Sequence, residues 1–186
     1  MRFRMLLALP VLFCAALSAR ADSLFTFEST SPGTVFPVSS TVNGITLTVA
    51  APGGGAVCNS NGLFSGLSGN VAIQGLCTKD FEGPLTLSFS QVISSLSFNF
   101  AVSNEAAPLL VQTMLDGTPG PVGLFFSSLP VGYSNGEGLA TLSGSFNSVV
   151  LSTDAPFIAV DNDNVAATPT PEPGSLALLG TASLGA

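Results

Sequence analysis

The sequence predicts an all-β chain, an antiparallel β-sandwich of jelly-roll type, on three observations. Between Asp22 and Ala167 there is no amphipathic helical pattern, apolar residues alternate with polar ones over short stretches, and Gly-rich turn signals separate those stretches. Alternation puts one face of a strand in a core and the other in water. It is clearest where Leu85, Leu87 and Phe89 alternate with Thr86, Ser88 and Ser90, and where Leu96, Phe98 and Phe100 alternate with Ser97 and Asn99.

In chain order the first expected strand is Leu24 to Glu28, and Asn43-Gly44 then turns the chain into Ile45 to Val49. Pro52-Gly53-Gly54-Gly55 ends that strand, and Val71 to Gln74 precedes the two alternating strands already named. Leu109 to Leu115, the Asp116-Gly117 turn and Val122 to Phe126 read as a hairpin. Asn135-Gly136 introduces Leu139 to Leu142, followed by Val149 to Thr153 and Phe157 to Asp161. About ten short strands in residues 22–167 make one jelly-roll domain, large enough to bury about two-thirds of its unfolded surface. The stretch Ala51 to Cys77 is the loosest and reads as a long excursion stapled to the sandwich.

Residues 1–21 read as a secretory signal peptide. Arg2 and Arg4 supply the positive start, Met5 to Leu17 the apolar run, and Ala19-Arg20-Ala21 the small-residue site at which signal peptidase would cut before Asp22. Phe13 stands before Cys14 where a lipoprotein needs a small residue, which favours cleavage over lipidation. Without the leader only Lys79 faces all 11 acidic groups, and 1 − 11 leaves a net charge of −10. Such a chain excludes nucleic acid as a partner, because binding it depends on neutralising phosphates with Lys and Arg. Adhesion to an anionic membrane surface is disfavoured for the same reason.

Cys58 and Cys77 are the cysteines that remain after cleavage. In an oxidising compartment such a pair reads as a disulfide, the alternative being two buried thiols. The chain has no histidine, so Ser-His-Asp and Cys-His catalysis and His-held zinc are absent from its repertoire. Two carboxylates suffice for a glycosidase, and Asp80 with Glu82 is the one close pair flanking an aromatic residue; a polar turn before Leu85 accounts for the same residues. No catalytic residue is assigned, and the chain reads as a non-enzyme.

Pro169, Pro171 and Pro173 hold the chain extended after Ala167, and Gly174 to Ala186 is uncharged and apolar. Pro171-Glu172-Pro173 followed by G-S-L-A-L-L-G-T resembles the PEP-CTERM protein-sorting signal of Gram-negative bacteria, also called the ice-binding-protein C-terminal domain. The resemblance implies a linker over 168–173, a sorting helix beginning in 174–186, and Pro171, Glu172 and Pro173 as the motif read by a membrane-embedded exosortase during transient inner-membrane anchoring. The 13 residues of that helix reach roughly 20 Å, short of the roughly 30 Å of a bilayer core, and the basic cluster of the family pattern is not in the sequence.

The two ends of the domain carry a second resemblance. Phe25-Thr26-Phe27-Glu28 and Phe157-Ile158-Ala159-Val160-Asp161-Asn162-Asp163-Asn164 resemble signatures of carbohydrate-binding-module-like jelly rolls, in which the first and last strands lie adjacent. That likeness implies a structural calcium held by Glu28 and Asp161, with Asp163 as a further ligand; an Asx-rich turn accounts for the last segment otherwise. Sugar stacking has little to work with, since Trp is absent and Tyr133 is the one tyrosine. Together these readings lead to an exported surface or matrix protein with a structural or interaction role, associated with exopolysaccharide. A carbohydrate-binding module using Tyr133 is the alternative, and a carboxylate-only hydrolase the third.

Overall fold

The computed structural model describes residues 22–75, 77, 83–103 and 107–168, and every regular element among them is a strand. The ten strands are β1 Ser23–Phe25, β2 Val38–Val42, β3 Ile45–Ala50, β4 Gly55–Asn59, β5 Asn70–Gln74, β6 Leu85–Val102, β7 Pro108–Leu115, β8 Thr118–Phe126, β9 Gly136–Ser152 and β10 Ile158–Ala167. Neighbouring strands pair antiparallel throughout. The expected β-sandwich is present, and its sheet does not close into a barrel. Among the described residues no helix is long and apolar enough to cross a membrane.

Two long strands build both layers. β6 and β9 pair along their lengths, but register shifts between Ser88 and Ile93 and between Ile93 and Ser95 break the ladder into two stretches. Residues 85–88 against 148–151 belong to a first layer ordered β2-β3-β6-β9-β7-β8. Residues 95–102 against 136–143 belong to a second layer ordered β4-β5-β10-β6-β9, with β1 sharing the outer edge of β10 beyond β5. A strand bent by an irregular ladder can leave one sheet and continue in the other, which is how sandwiches turn corners.

Alternation then fills the space between the layers. Leu85, Leu87 and Phe89 from one half of β6 and Leu96, Phe98 and Phe100 from the other half lie in a single buried cluster. Leu47, Val111 and Val149 join it from the first layer; Phe25, Ala72 and Val160 join from the second. A smaller cluster lies on the outer side of the second layer. There Phe64 and Leu67 of the excursion cover Val71, Ala101 and Ala159. The segment read as a loose excursion is therefore folded back over a sheet face.

Turn chemistry agrees with the sequence at two hairpins. Asn43-Gly44 joins β2 to β3 and Asp116-Gly117 joins β7 to β8, with φ of 50° and 78°, then 49° and 79°. Paired positive φ values match the right-handed twist of the flanking strands, and Asn-Gly or Asp-Gly meets that requirement at least cost.

The strand count of ten coincides with expectation for a different reason. The stretches around Leu87 and Phe98 are one continuous strand, as are those around Leu139 and Val149. Two strands went unread: Val38–Val42, whose central residues are Ser and Thr, and Gly55–Asn59, which begins in a glycine-rich run. β1 stops at Phe25, leaving Glu28 beyond it, and β10 continues six residues past Asp161 to Ala167. D-N-D-N thus lies within a strand.

Candidate functional site

The first and last strands lie side by side, with Ser23 opposite Val165 and Phe25 opposite Asp163. On its other edge β10 pairs with β6, where Asp161 faces Asn99 and Asn164 faces Ser97, so β10 carries one extra residue across that interval. The bulge centres on Asn162, whose φ of 56° is left-handed and whose side chain donates to Asp161 Oδ2 at 3.1 Å.

That bulge separates two acids that a regular strand would place on one face. Asp161 lies on the outer side with Asn99, beneath the excursion. Asp163 lies opposite Phe25, a residue of the main core, and is fully buried with neither carboxylate oxygen hydrogen-bonded. Burial pushes the Asp163 carboxyl up to about 8, and the negative charge of Asp161 adds to the rise. Asp161 itself is raised to about 6 by burial, with the Glu28 carboxylate adding to the rise, while N–H donors from Asn162 and Ser68 oppose it.

The acidic side chains around the excursion share one task. Glu137 on β9 accepts from the backbone N–H of Ser65 and of Gly66, both at 2.6 Å. Asp161 accepts from Ser68 N–H, and Glu28 Oε1 accepts from Asn70 N–H at 3.1 Å. Three carboxylates thus hold four amides within six residues of chain. Charge-assisted bonds of this kind are stronger than neutral ones, and no Lys or Arg lies among the described residues to compete for them. Asn135 Nδ2 donates to Leu63 O at 3.2 Å, adding a further tie to the excursion. Glycine suits position 69 in the same arrangement: its φ of 69° is left-handed, and a Cβ there would crowd the Glu28 carboxylate.

Cys58 on β4 and Cys77 beyond β5 form the expected disulfide, with an S–S distance of 2.05 Å. Cys58 stands opposite Val71, one position from the Asn59–Asn70 pair at which the excursion leaves the β4–β5 ladder. Among the described residues no three His, Cys, Asp or Glu side chains gather to hold a metal ion. Glu28 and Asp161 approach each other, whereas Asp163 lies on the far side of the bulge, so an ion at this corner would need backbone carbonyls to complete its shell. Tyr133 stands apart from this corner, in the segment after β8, 38% exposed, with its N–H donating to Pro130 O at 3.1 Å. Asp80, Glu82, Ala19, Ala21, Pro171, Glu172 and Pro173 lie outside the described residues.

Glu137 was not read as part of any site. It lies 71 and 72 positions from the amides it binds, and its own neighbourhood, N-G-E-G-L, carries only a turn signal.

These features define a disulfide-stapled, two-layer β-sandwich with one outer face covered by a carboxylate-clamped loop. No family model matches the chain, and no curated protein matches it. Among solved structures it resembles the K2 cleaved adhesin domain of Lys-gingipain, with a TM-score of 0.50 at 14% identity over 81% of this chain and 99% of that one. A mutant of the family 29 carbohydrate-binding module CBM29-2 follows at a TM-score of 0.33, 10% identity, and 82% and 99% coverage. The enzymatically active domain of tailspike protein 4 from bacteriophage CBA120 reaches 0.31 at 15% identity, over 76% of this chain and 20% of that one. The first of these supports the shared sandwich fold; the other two are too distant to bear on it.

Proposed function

We propose that this chain is an exported, non-enzymatic β-sandwich of the outer surface or extracellular matrix of a Gram-negative bacterium, associated with exopolysaccharide. The Cys58–Cys77 disulfide carries the reading, because such bonds persist in oxidising compartments outside the cytoplasm. An interaction role is supported by the employment of Glu28, Glu137 and Asp161 in holding loop amides, which leaves these three without the free, cleft-facing carboxylates a glycosidase needs. The signal peptide and the PEP-CTERM-like tail supply the route, through signal peptidase and an exosortase. Intact-mass analysis of the protein recovered from its host's envelope and medium, with sequencing of the terminal peptides, tests it. A chain beginning at Asp22 and ending near Pro171 to Pro173 is expected; a chain retaining Met1, or one ending at Ala186, overturns the sorting route.

A structural calcium at the β1–β10 corner is a second reading, favoured by the two orphaned oxygens of buried Asp163. A saturable rise in unfolding temperature on adding calcium to the chelated protein, lost in Asp163→Ala, is its expected signature. An unfolding temperature indifferent to calcium overturns it.

A further inference from the structure

Among the described residues nothing covers the outer face of the first layer, in contrast to that of the second. Its outward residues stand in register across the sheet. One row runs Ser39, Thr48, Ser88 and Ser148 across β2, β3, β6 and β9, four hydroxyls on four successive strands. Beside it, Thr41 and Thr46 face each other, and the Ser90 hydroxyl accepts from the Thr46 N–H. Hydroxyls touch across strands at 2.8 Å in both the Ser39–Thr48 and the Thr41–Thr46 pairs. Rows of this kind repeat at about 4.8 Å between strands and about 6.7 Å along them.

Toward β7 and β8 the same face turns apolar. Leu110 pairs with Leu124 and Pro108 with Phe126, while Val122 lies opposite Gln112. Leu110 is 39% exposed, Leu124 51%, Val122 58% and Phe126 75%. No outward position in these rows carries a charge, although the chain from Asp22 onward has a net charge of −10. Among the described residues, Asp116 and Asp154 sit in the turn between β7 and β8 and in the segment after β9, outside the rows.

We propose that this face is a binding surface for a neutral polysaccharide, a ligand class that deepens the exopolysaccharide association and rests on that reading. A pyranose chain presents apolar C–H faces and hydroxyl edges. The Leu110, Val122, Leu124 and Phe126 patch meets the former, and the Ser/Thr rows meet the latter at a spacing a flat sheet repeats. Charge selects within the class: a face without cations on a strongly acidic protein repels anionic polymers and offers phosphates nothing. An anionic lipid surface is disfavoured on the same ground.

Affinity electrophoresis of the domain through gels containing hydroxyethylcellulose, dextran, galactomannan or mixed-linkage β-glucan tests this, with alginate and carboxymethylcellulose as anionic counterparts. Retardation by at least one neutral polymer, unchanged between low and high salt, and none by the anionic pair is expected. Phe126→Ser with Leu124→Ser, and separately Thr48→Asp, should each weaken that retardation at least tenfold while keeping the wild-type unfolding temperature within a few degrees, since all three positions are solvent-facing. No retardation by any neutral polymer overturns the proposal, as does stronger retardation by the anionic pair. Binding that survives these variants but is lost in Tyr133→Ala also overturns it, moving the site to the loop after β8. Export and tail processing are read from the terminal peptides alone, so a failure here leaves that result standing.

Discussion

Replacing Cys58 and Cys77 together by serine lowers stability by about 3 kcal/mol, the chain-entropy value for closing a loop of this size. In a domain of this length that corresponds to a fall in unfolding temperature of about 10 °C. Urea unfolding checks it, and carries a second signature: the denaturant slope should rise, because the unfolded chain loses a cross-link and exposes more surface. The excursion carrying Phe64 and Leu67 should lose amide-exchange protection before the β6–β9 ladder does, since the disulfide ties the root of that excursion and not the centre of the sandwich. A loss below about 1 kcal/mol would mean that the β4–β5 ladder already confines the loop in the unfolded ensemble.

The second large effect is a pH dependence set by Asp163. Its carboxyl is pushed from its ordinary value of 3.8 up to about 8 in the folded chain, so between those two values the folded state holds a proton that the unfolded state has released. Stability of the chelated protein therefore falls as pH rises across this window; Asp161, raised to about 6, adds to the fall in the lower part, and between about pH 6 and 8 Asp163 sets the slope, at most about 1.4 kcal/mol per pH unit, which levels off above about pH 8. Asp163→Asn should flatten that slope. Asp163→Leu, with the same branched heavy-atom skeleton and no polar atom to leave orphaned, should stabilise the chelated protein by about 1–3 kcal/mol at pH 8. Unfolding temperatures at pH 5, 7 and 9 with a chelator present are the measurement. With calcium bound, that fall disappears: the ion requires the deprotonated carboxylate, so above the ordinary value of 3.8 the folded and unfolded chains are both proton-free at this residue, its contribution is flat with pH, and Asp163→Leu destabilises. A flat profile in the chelated wild-type protein would contradict the proton held at Asp163.

The alternating cores of β3, β6, β7 and β9 were legible because each residue's neighbours fix its face locally. What could not be read was where strands end. Gln91 and Ser94 interrupt the alternation after Phe89 as a turn would, yet the ladder resumes at Ile93 and the strand bends without stopping. Val38–Val42 hides because its polar centre makes half of a hydroxyl ladder whose other half lies on β3. At the candidate site the adjacency of the first and last strands was anticipated. The bulge at Asn162 was not, and that one inserted residue sends Asp163 into the core while Asp161 stays under the loop. Clamping of Ser65 and Gly66 by Glu137 is a purely tertiary fact, with no local pattern to announce it.

The placement of β10 has a mechanical consequence. β10 ends at Ala167, with Thr168 N–H still donating to Val92 O, and the strand is flanked by β6 on one side and by β5 and β1 on the other. A pull on the C-terminal end acts along the axis of β10, so its cross-strand hydrogen bonds are strained together in shear instead of being peeled one by one. Because β6 continues into the other layer, the load passes to both sheets. A domain tethered by that end would resist drag from a surrounding polymer while its uncharged outer face stays free to hold it.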